Sequence, residues 1–164
     1  MPGLIKTSFM FLALSFRLLG QSQPDLVDFL QREFKSLENE QVEVKDIKFS
    51  DNDSTCRITS SAPGQLSEQT LEFALADVDI YTRQTLQKGP KEDFVYTYAL
   101  VVAPRGRTGQ LRKNMSKAVA PEVILRSTYN GNKIRSMEWA FARLTELTTG
   151  RTTWVQFRGE PQTP

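Results

Sequence analysis

The hydrophobic period of this chain changes twice, and that change limits the fold more than any other feature. A helical stripe comes first, with Leu26, Val27, Leu30, Phe34 and Leu37 on one face behind Pro24 and Asp25. The spacing then drops to two through a series of short alternating runs. It returns to helical at Ile134, Met137, Ala140, Phe141, Leu144 and Leu147, between Asn132 as N-cap and Gly150 as stop. Strands joined by short turns and flanked by helices make an α+β domain. A chain of 164 residues suits one such domain.

The alternating runs are read as about five strands. Val42–Phe49 alternates, but its phase slips between Val44 and Ile47, as a bulge requires. Ser50–Thr55 is a turn and "CRITSS" the returning strand. Thr70–Leu86 reads as one long strand with a phase slip at Asp77. "FVYTYALVVAP" puts Phe94, Tyr96, Tyr98, Leu100 and Val102 on one face. Glu122–Asn130 is the last strand before the C-terminal helix.

The first residues point to export. Lys6 precedes the apolar run "SFMFLALSF", which is too short to span a bilayer, and Gly20-Gln21-Ser22 supplies small residues for cleavage after Ser22. Arg17, late in the apolar region, weakens that signal; the competing reading is an ordinary helix or an uncleaved anchor. The division expected is a signal peptide over 1–22, one globular domain over 23–157 and a flexible tail over 158–164. The expected location is secreted or periplasmic, with no membrane span in the mature chain. Of 21 basic residues, Lys6 and Arg17 leave with the signal, so 19 remain against 19 acids. A neutral domain is a poor general binder of nucleic acid, whose affinity is mostly phosphate neutralisation. Cys56 is the sole cysteine, which excludes an internal disulfide.

A curved sheet closed by one C-terminal helix is the arrangement of pleckstrin-homology-like (PH-like) domains. The segments "LEFALADVDIYTRQTL", "FVYTYALVVA" and "IRSMEWAFARLTEL" resemble small exported Bacteroidota proteins of unknown function. In those a strand of the form F.L.D.D and a terminal A..L..L helix recur. The resemblance covers Thr70–Gly150 and implies a PH-like domain, not an activity. Cystatin-like and other folds of a curved sheet with a helix fit the same pattern, because strand pairing is not visible in one sequence. A second segment, "APRGRTGQLRKNM", is similar to the Pro-x-x-Thr-Gly-x-Leu-Arg stretch of phage tail-completion proteins. The acidic-glycine segment expected after it is matched poorly by "ELTTG".

The chemistry is thin. The chain has no histidine, which removes the commonest general base and the usual metal ligand. With one cysteine, zinc sites of the Cys/His type are excluded. "DNDST" clusters oxygen ligands but lacks the glycine and distal Glu of a calcium loop, and reads as an Asx-rich turn. No cofactor and no metal are expected. A His-free hydrolase or small-ligand pocket would have to use Asp77, Asp79 or Tyr98.

Two surfaces stand out. On the C-terminal helix Trp139 falls almost opposite the apolar stripe, with Arg135 and Arg143 one turn to either side and Glu146 near the same line. An indole between two guanidinium groups suits cation–π stacking and a protein contact. The plainer reading puts Trp139 under the N-terminal helix or the tail. The second surface is "PRGRTGQLRKNMSK", with Arg105, Arg107, Arg112, Lys113 and Lys117 and no acid. Its glycines make it a long hairpin loop, either an anion-attracting edge or merely solvated. The function expected is a non-enzymatic exported domain binding a protein, peptide or envelope component through these residues. The hydrolase or pocket protein and the phage structural protein are the alternatives.

Overall fold

The structure, a computed structural model, describes residues 22–36, 43–50, 52–61, 68–88, 94–106, 111–113, 122–152 and 158–159. Helix α1 (Gln23–Ser36) starts where Asp25 accepts from the Ser22 backbone N–H at 3.1 Å and its hydroxyl at 2.6 Å. An acid that reaches back to the residue before the helix satisfies a donor the helix leaves open. Leu26, Leu30 and Phe34 are fully buried, as the stripe requires; Val27 is half-buried and Leu37 lies outside the described residues.

Three antiparallel strands follow: β1 (Glu43–Ser50), β2 (Thr55–Ser61) and β3 (Glu68–Ala74). The β1–β2 turn places Asn52 and Asp53 at φ 56° and 63°, the left-handed region that these two residue types tolerate best after glycine. The register shifts between Val44 and Asp46, where the sequence phase slips. Ile47, Ile58 and Leu71 align across the strands, as do Phe49, Cys56 and Phe73, and these rows face the core.

The expected strand over Thr70–Leu86 is two strands in two sheets. A 3-10 turn, Leu75–Asp77, breaks it, anchored by the Leu75 N–H on the Ser54 carbonyl at 2.8 Å. The chain then leaves the first sheet as β4 (Val78–Lys88) and pairs along its whole length with β5 (Phe94–Pro104). The phase slip at Asp77 is this change of sheet.

The basic stretch is also more than a hairpin loop. Within it, β6 (Leu111–Lys113) pairs with β3 at the edge of the first sheet, and Leu111 is fully buried. Strand β7 (Val123–Thr128) returns to β5 with a register shift at Leu100/Val101, which lets the consecutive residues Leu125 and Arg126 both be buried. Arg158–Gly159, expected in the flexible tail, form a short parallel strand, β8, beside β4. The orders are β1-β2-β3-β6 and β7-β5-β4-β8.

Helix α2 (Gly131–Thr149) begins where the Asn130 side chain accepts from the Lys133 N–H at 3.3 Å. It ends at Gly150, whose φ of 67° lets its N–H reach the Glu146 carbonyl at 2.9 Å. The N-cap is thus Asn130, two residues before the one expected. α2 lies across β4, β5 and β7 and packs on α1, where Phe34 and Phe141 meet edge to face at 6.1 Å between ring centroids. Its buried arc is wider than the stripe, taking in Glu138 and Thr145, while Leu147 is exposed.

The fold is therefore α+β. The two helices stand where expected, but between them is not the expected curved antiparallel sheet or partial barrel of about five strands, as in PH-like domains. Among the described residues, six strands of six residues or more form two sheets, each with a short edge strand, and two helices share one core.

Candidate interaction face

On a β-hairpin, residues paired across the strands share a face. On one face of β4–β5 the pairs are Ile80 with Val102, Thr82 with Leu100, Gln84 with Tyr98, Leu86 with Tyr96 and Lys88 with Phe94. Burial falls steadily along this row. Leu100 and Val102 are fully covered, Tyr98 is half-buried, Tyr96 is 44% exposed and Phe94 72%, with Leu86 at 50%. The cause is the length of α2, whose first residue, Gly131, sits on the Tyr98 ring. A methyl group on Gly131 would lie 2.8 Å from that ring. The Arg135 guanidinium lies over the same ring, 6.0 Å from its centroid. Beyond it the hairpin carries its apolar face past the helix. An open groove of about 540 Å³ begins there, between Tyr98, the exposed Tyr129, Gly131 and Arg135.

Beneath this face Glu138 is buried. Its Oε2 accepts from the Thr82 hydroxyl at 2.5 Å, and Oε1 has no hydrogen-bond partner among the described residues. Burial pushes its carboxyl up to about 7, against the opposing pull of Thr82 and Arg135. Sequence reading missed it. The signal was there: Glu138 is four residues after Ile134 and three before Phe141, on the arc that had to be covered.

The structure redistributes the expected site residues. Trp139 is half-buried and packs against the main core, because α2 is covered on more than one side. Of its two flanking arginines, Arg135 lies over the Tyr98 ring, and Arg143 pairs with Glu146 at 2.6 Å. Arg105 is held by Asp79, with Nε at 2.8 Å and Nη2 at 2.7 Å from Oδ1, so a proposed anion binder and a proposed catalytic carboxylate neutralise each other. Arg112 and Lys113 stand on β6, opposite Glu72 and Leu71 in the ladder. Arg107 lies outside the described residues.

The hydrolase set does not converge. Asp77 is exposed in the 3-10 turn, and Asp79 and Tyr98 stand on opposite faces of the β4–β5 ladder. On Asp79's face the Tyr81 hydroxyl donates to Glu122 at 3.0 Å, and Arg83 Nη2 donates to both Glu122 oxygens at 2.7 and 2.8 Å. Arg83 thereby holds the Glu122 carboxyl below the usual carboxylate range. In the "DNDST" turn, Asn52 and Asp53 accept from the Gln23 amide at 2.8 and 2.9 Å, and Asp51 lies outside the described residues. No cluster of three acidic, Cys or His side chains suited to a metal occurs among the described residues. Cys56 is fully buried, which pushes its thiol well above its ordinary range. An apolar cleft of about 150 Å³ opens between the sheets, lined by Ile58, Leu71 and Leu125.

No helix among the described residues is long and apolar enough to cross a membrane. No family model, no curated protein and no solved structure matches the chain.

Proposed function

We propose that this chain is an exported, non-enzymatic binding domain that takes a protein or peptide partner on the free end of the β4–β5 face. The observation that carries this is Phe94, Tyr96 and Leu86, three large apolar side chains left exposed side by side on one face of a two-stranded ladder. Apolar surface grouped in this way is unusual on a chain with no partner. Aromatic residues and arginine dominate binding energy where interfaces are measured. Of the residues picked from sequence, Arg135 joins this face, and Trp139, half-buried, packs against the core. The separation of Asp79 from Tyr98, and its pairing with Arg105, favour binding over hydrolysis. Export is supported by the place of α1, which begins at Gln23, the residue after the expected cleavage point.

A displayed random-peptide library tests the reading. Peptides enriched on the wild-type chain should lose binding to Phe94→Ser/Tyr96→Ser, whose far-ultraviolet circular dichroism and melting temperature stay unchanged. Enrichment indifferent to those two substitutions would overturn it.

A further inference from the structure

The core-facing side of the first sheet changes character along its strands. Nearest the Leu75–Asp77 turn that joins the two sheets stand Phe49, Cys56 and Phe73 in one cross-strand row. Ile47, Ile58 and Leu71 form the next row, and Val44, Ser60 and Gln69 the third. Residues two apart on a strand share a face, so the three rows lie on one side. Moving away from the turn, that side passes from Phe-rich to aliphatic to polar. The cleft of about 150 Å³ lies at the polar end, with Leu125 of β7 among its walls. Among the described residues, Val44, Ile58, Leu71 and Leu125 make its apolar walls, while Ser60 is half-buried and Gln69 exposed at its rim. Ile58, Leu71 and Leu125 are 4%, 7% and 5% exposed, whereas the other buried residues of the main core are 2% exposed or less. Among the described core residues, these three are the ones that solvent reaches.

We infer that this cleft binds the end of an aliphatic chain of about six carbons, its polar end pointing outward past Ser60 and Gln69. Water between aliphatic walls finds few hydrogen-bond partners, so an apolar group that displaces it is favoured. The volume sets the length, since an aliphatic-walled cavity of about 150 Å³ holds one benzene ring. The rim sets the direction. A serine hydroxyl and a glutamine amide each donate and accept, which suits a hydroxyl or carbonyl oxygen at the outer end of the chain. A longer chain leaves its remaining carbons in water. This site is separate from the β4–β5 face and does not rest on the reading given for it.

The test uses the full chain and the straight alkan-1-ols from butanol to octanol, titrated while methyl resonances are followed by NMR. Saturable shifts should centre on Val44, Ile58, Leu71 and Leu125. Affinity should rise about fourfold per methylene from butanol to hexanol and then level, because further carbons stay in water. Intermolecular Overhauser effects should place the terminal methyl of hexan-1-ol against Leu71 and Leu125 and its carbinol end beside Ser60. Ser60→Leu fills the mouth with the protein's own side chain and should weaken hexan-1-ol about tenfold or more. The length series on the unaltered chain decides the matter even if Ser60→Leu perturbs β2. Competition by dihexanoylphosphatidylcholine, below its micelle concentration, would support a lipid as the source of the chain. Binding of the alcohol alone would support a free molecule. Affinity that keeps climbing to octanol at the hexanol rate would mean adsorption on a surface and would overturn the inference. So would shifts centred on Leu86, a reversed orientation, or no saturable shift with any alcohol. Phe94→Ser/Tyr96→Ser should bind hexan-1-ol as the wild type does, so the cleft and the β4–β5 face fail separately.

Discussion

Glu138 occupies a place where the packing alone would favour an apolar side chain. It is 2% exposed, and the Thr82 hydroxyl and backbone N–H offset only part of the cost of burying it. The folded carboxyl stays protonated to about 7, whereas an unfolded one ionises from about 4.5. Below pH 4.5 both states hold the proton and the fold bears no penalty. As the pH rises from there the unfolded state gives up its proton first, so stability falls until the folded carboxyl ionises near 7, then levels. A shift of that size amounts to roughly 3 kcal/mol. Glu138→Gln keeps the shape and an acceptor for Thr82 while removing the ionisation. Urea unfolding at pH 5 and pH 8 should show a marked fall for the wild type and a nearly flat response for Glu138→Gln. An equal fall in both would place the pH dependence elsewhere. The same residue shows what a stripe count leaves out. Apolar residues on α2 were legible from spacing, but the width of the buried arc depends on α1 and β4, which one helix cannot reveal.

Among the elements, β6 separates two readings of the basic stretch. As a solvated loop, the stretch would tolerate any change. As built, Leu111 is fully buried next to Phe73, while the register sets Arg112 opposite Glu72, itself paired with Arg57 across β2–β3 at 2.5 Å. Leu111→Ala removes core volume and should cost about 3 kcal/mol in denaturant unfolding. Arg112→Glu sets like charges opposite each other at an edge and should cost no more than about 1 kcal/mol. If both substitutions proved equally mild, Leu111 would not be part of the core. Three residues among glycines and cations carry too little alternation to announce a strand, because β6 is fixed by the open edge of β3. The long pattern at Thr70–Leu86 failed for the opposite reason. Its alternation is clear, but membership of a sheet is a tertiary fact, and only the slip at Asp77 hinted that β3 and β4 part company. Arg126 adds a third case. Its Nη1 donates to the Phe34 carbonyl in the last turn of α1 at 2.7 Å, although 92 residues separate them. Burial draws its guanidinium down to about 10, and the helix end gives that charge a favourable partner.

At the scale of the whole molecule, the two sheets and α2 need α1. Leu26, Leu30 and Phe34 insert into the same core as Ile47, Phe73 and Phe141, and Gln31 donates to the Ile47 carbonyl at 3.1 Å. The N-terminal boundary therefore carries a physical consequence. A chain that begins at Gln23 keeps those three side chains and the Gln23 contacts to the β1–β2 turn. Of the described contacts it loses the Ser22–Asp25 cap and the bond from the Leu26 N–H to the Ser22 carbonyl. That loss is worth about 1 kcal/mol. A chain that begins at Glu43 loses three fully buried side chains, each worth about 2 kcal/mol in apolar burial alone, and opens the core they covered. The total rivals the entire net stability of a domain this size, roughly 5–15 kcal/mol. Calorimetry should find one cooperative transition for the chain from Gln23, within a few degrees of the full-length chain, and none for the chain from Glu43. A cooperative transition in the shorter chain would mean that α1 is dispensable. The start of α1 would then lend no support to the proposed cut after Ser22 or to the export proposed from it.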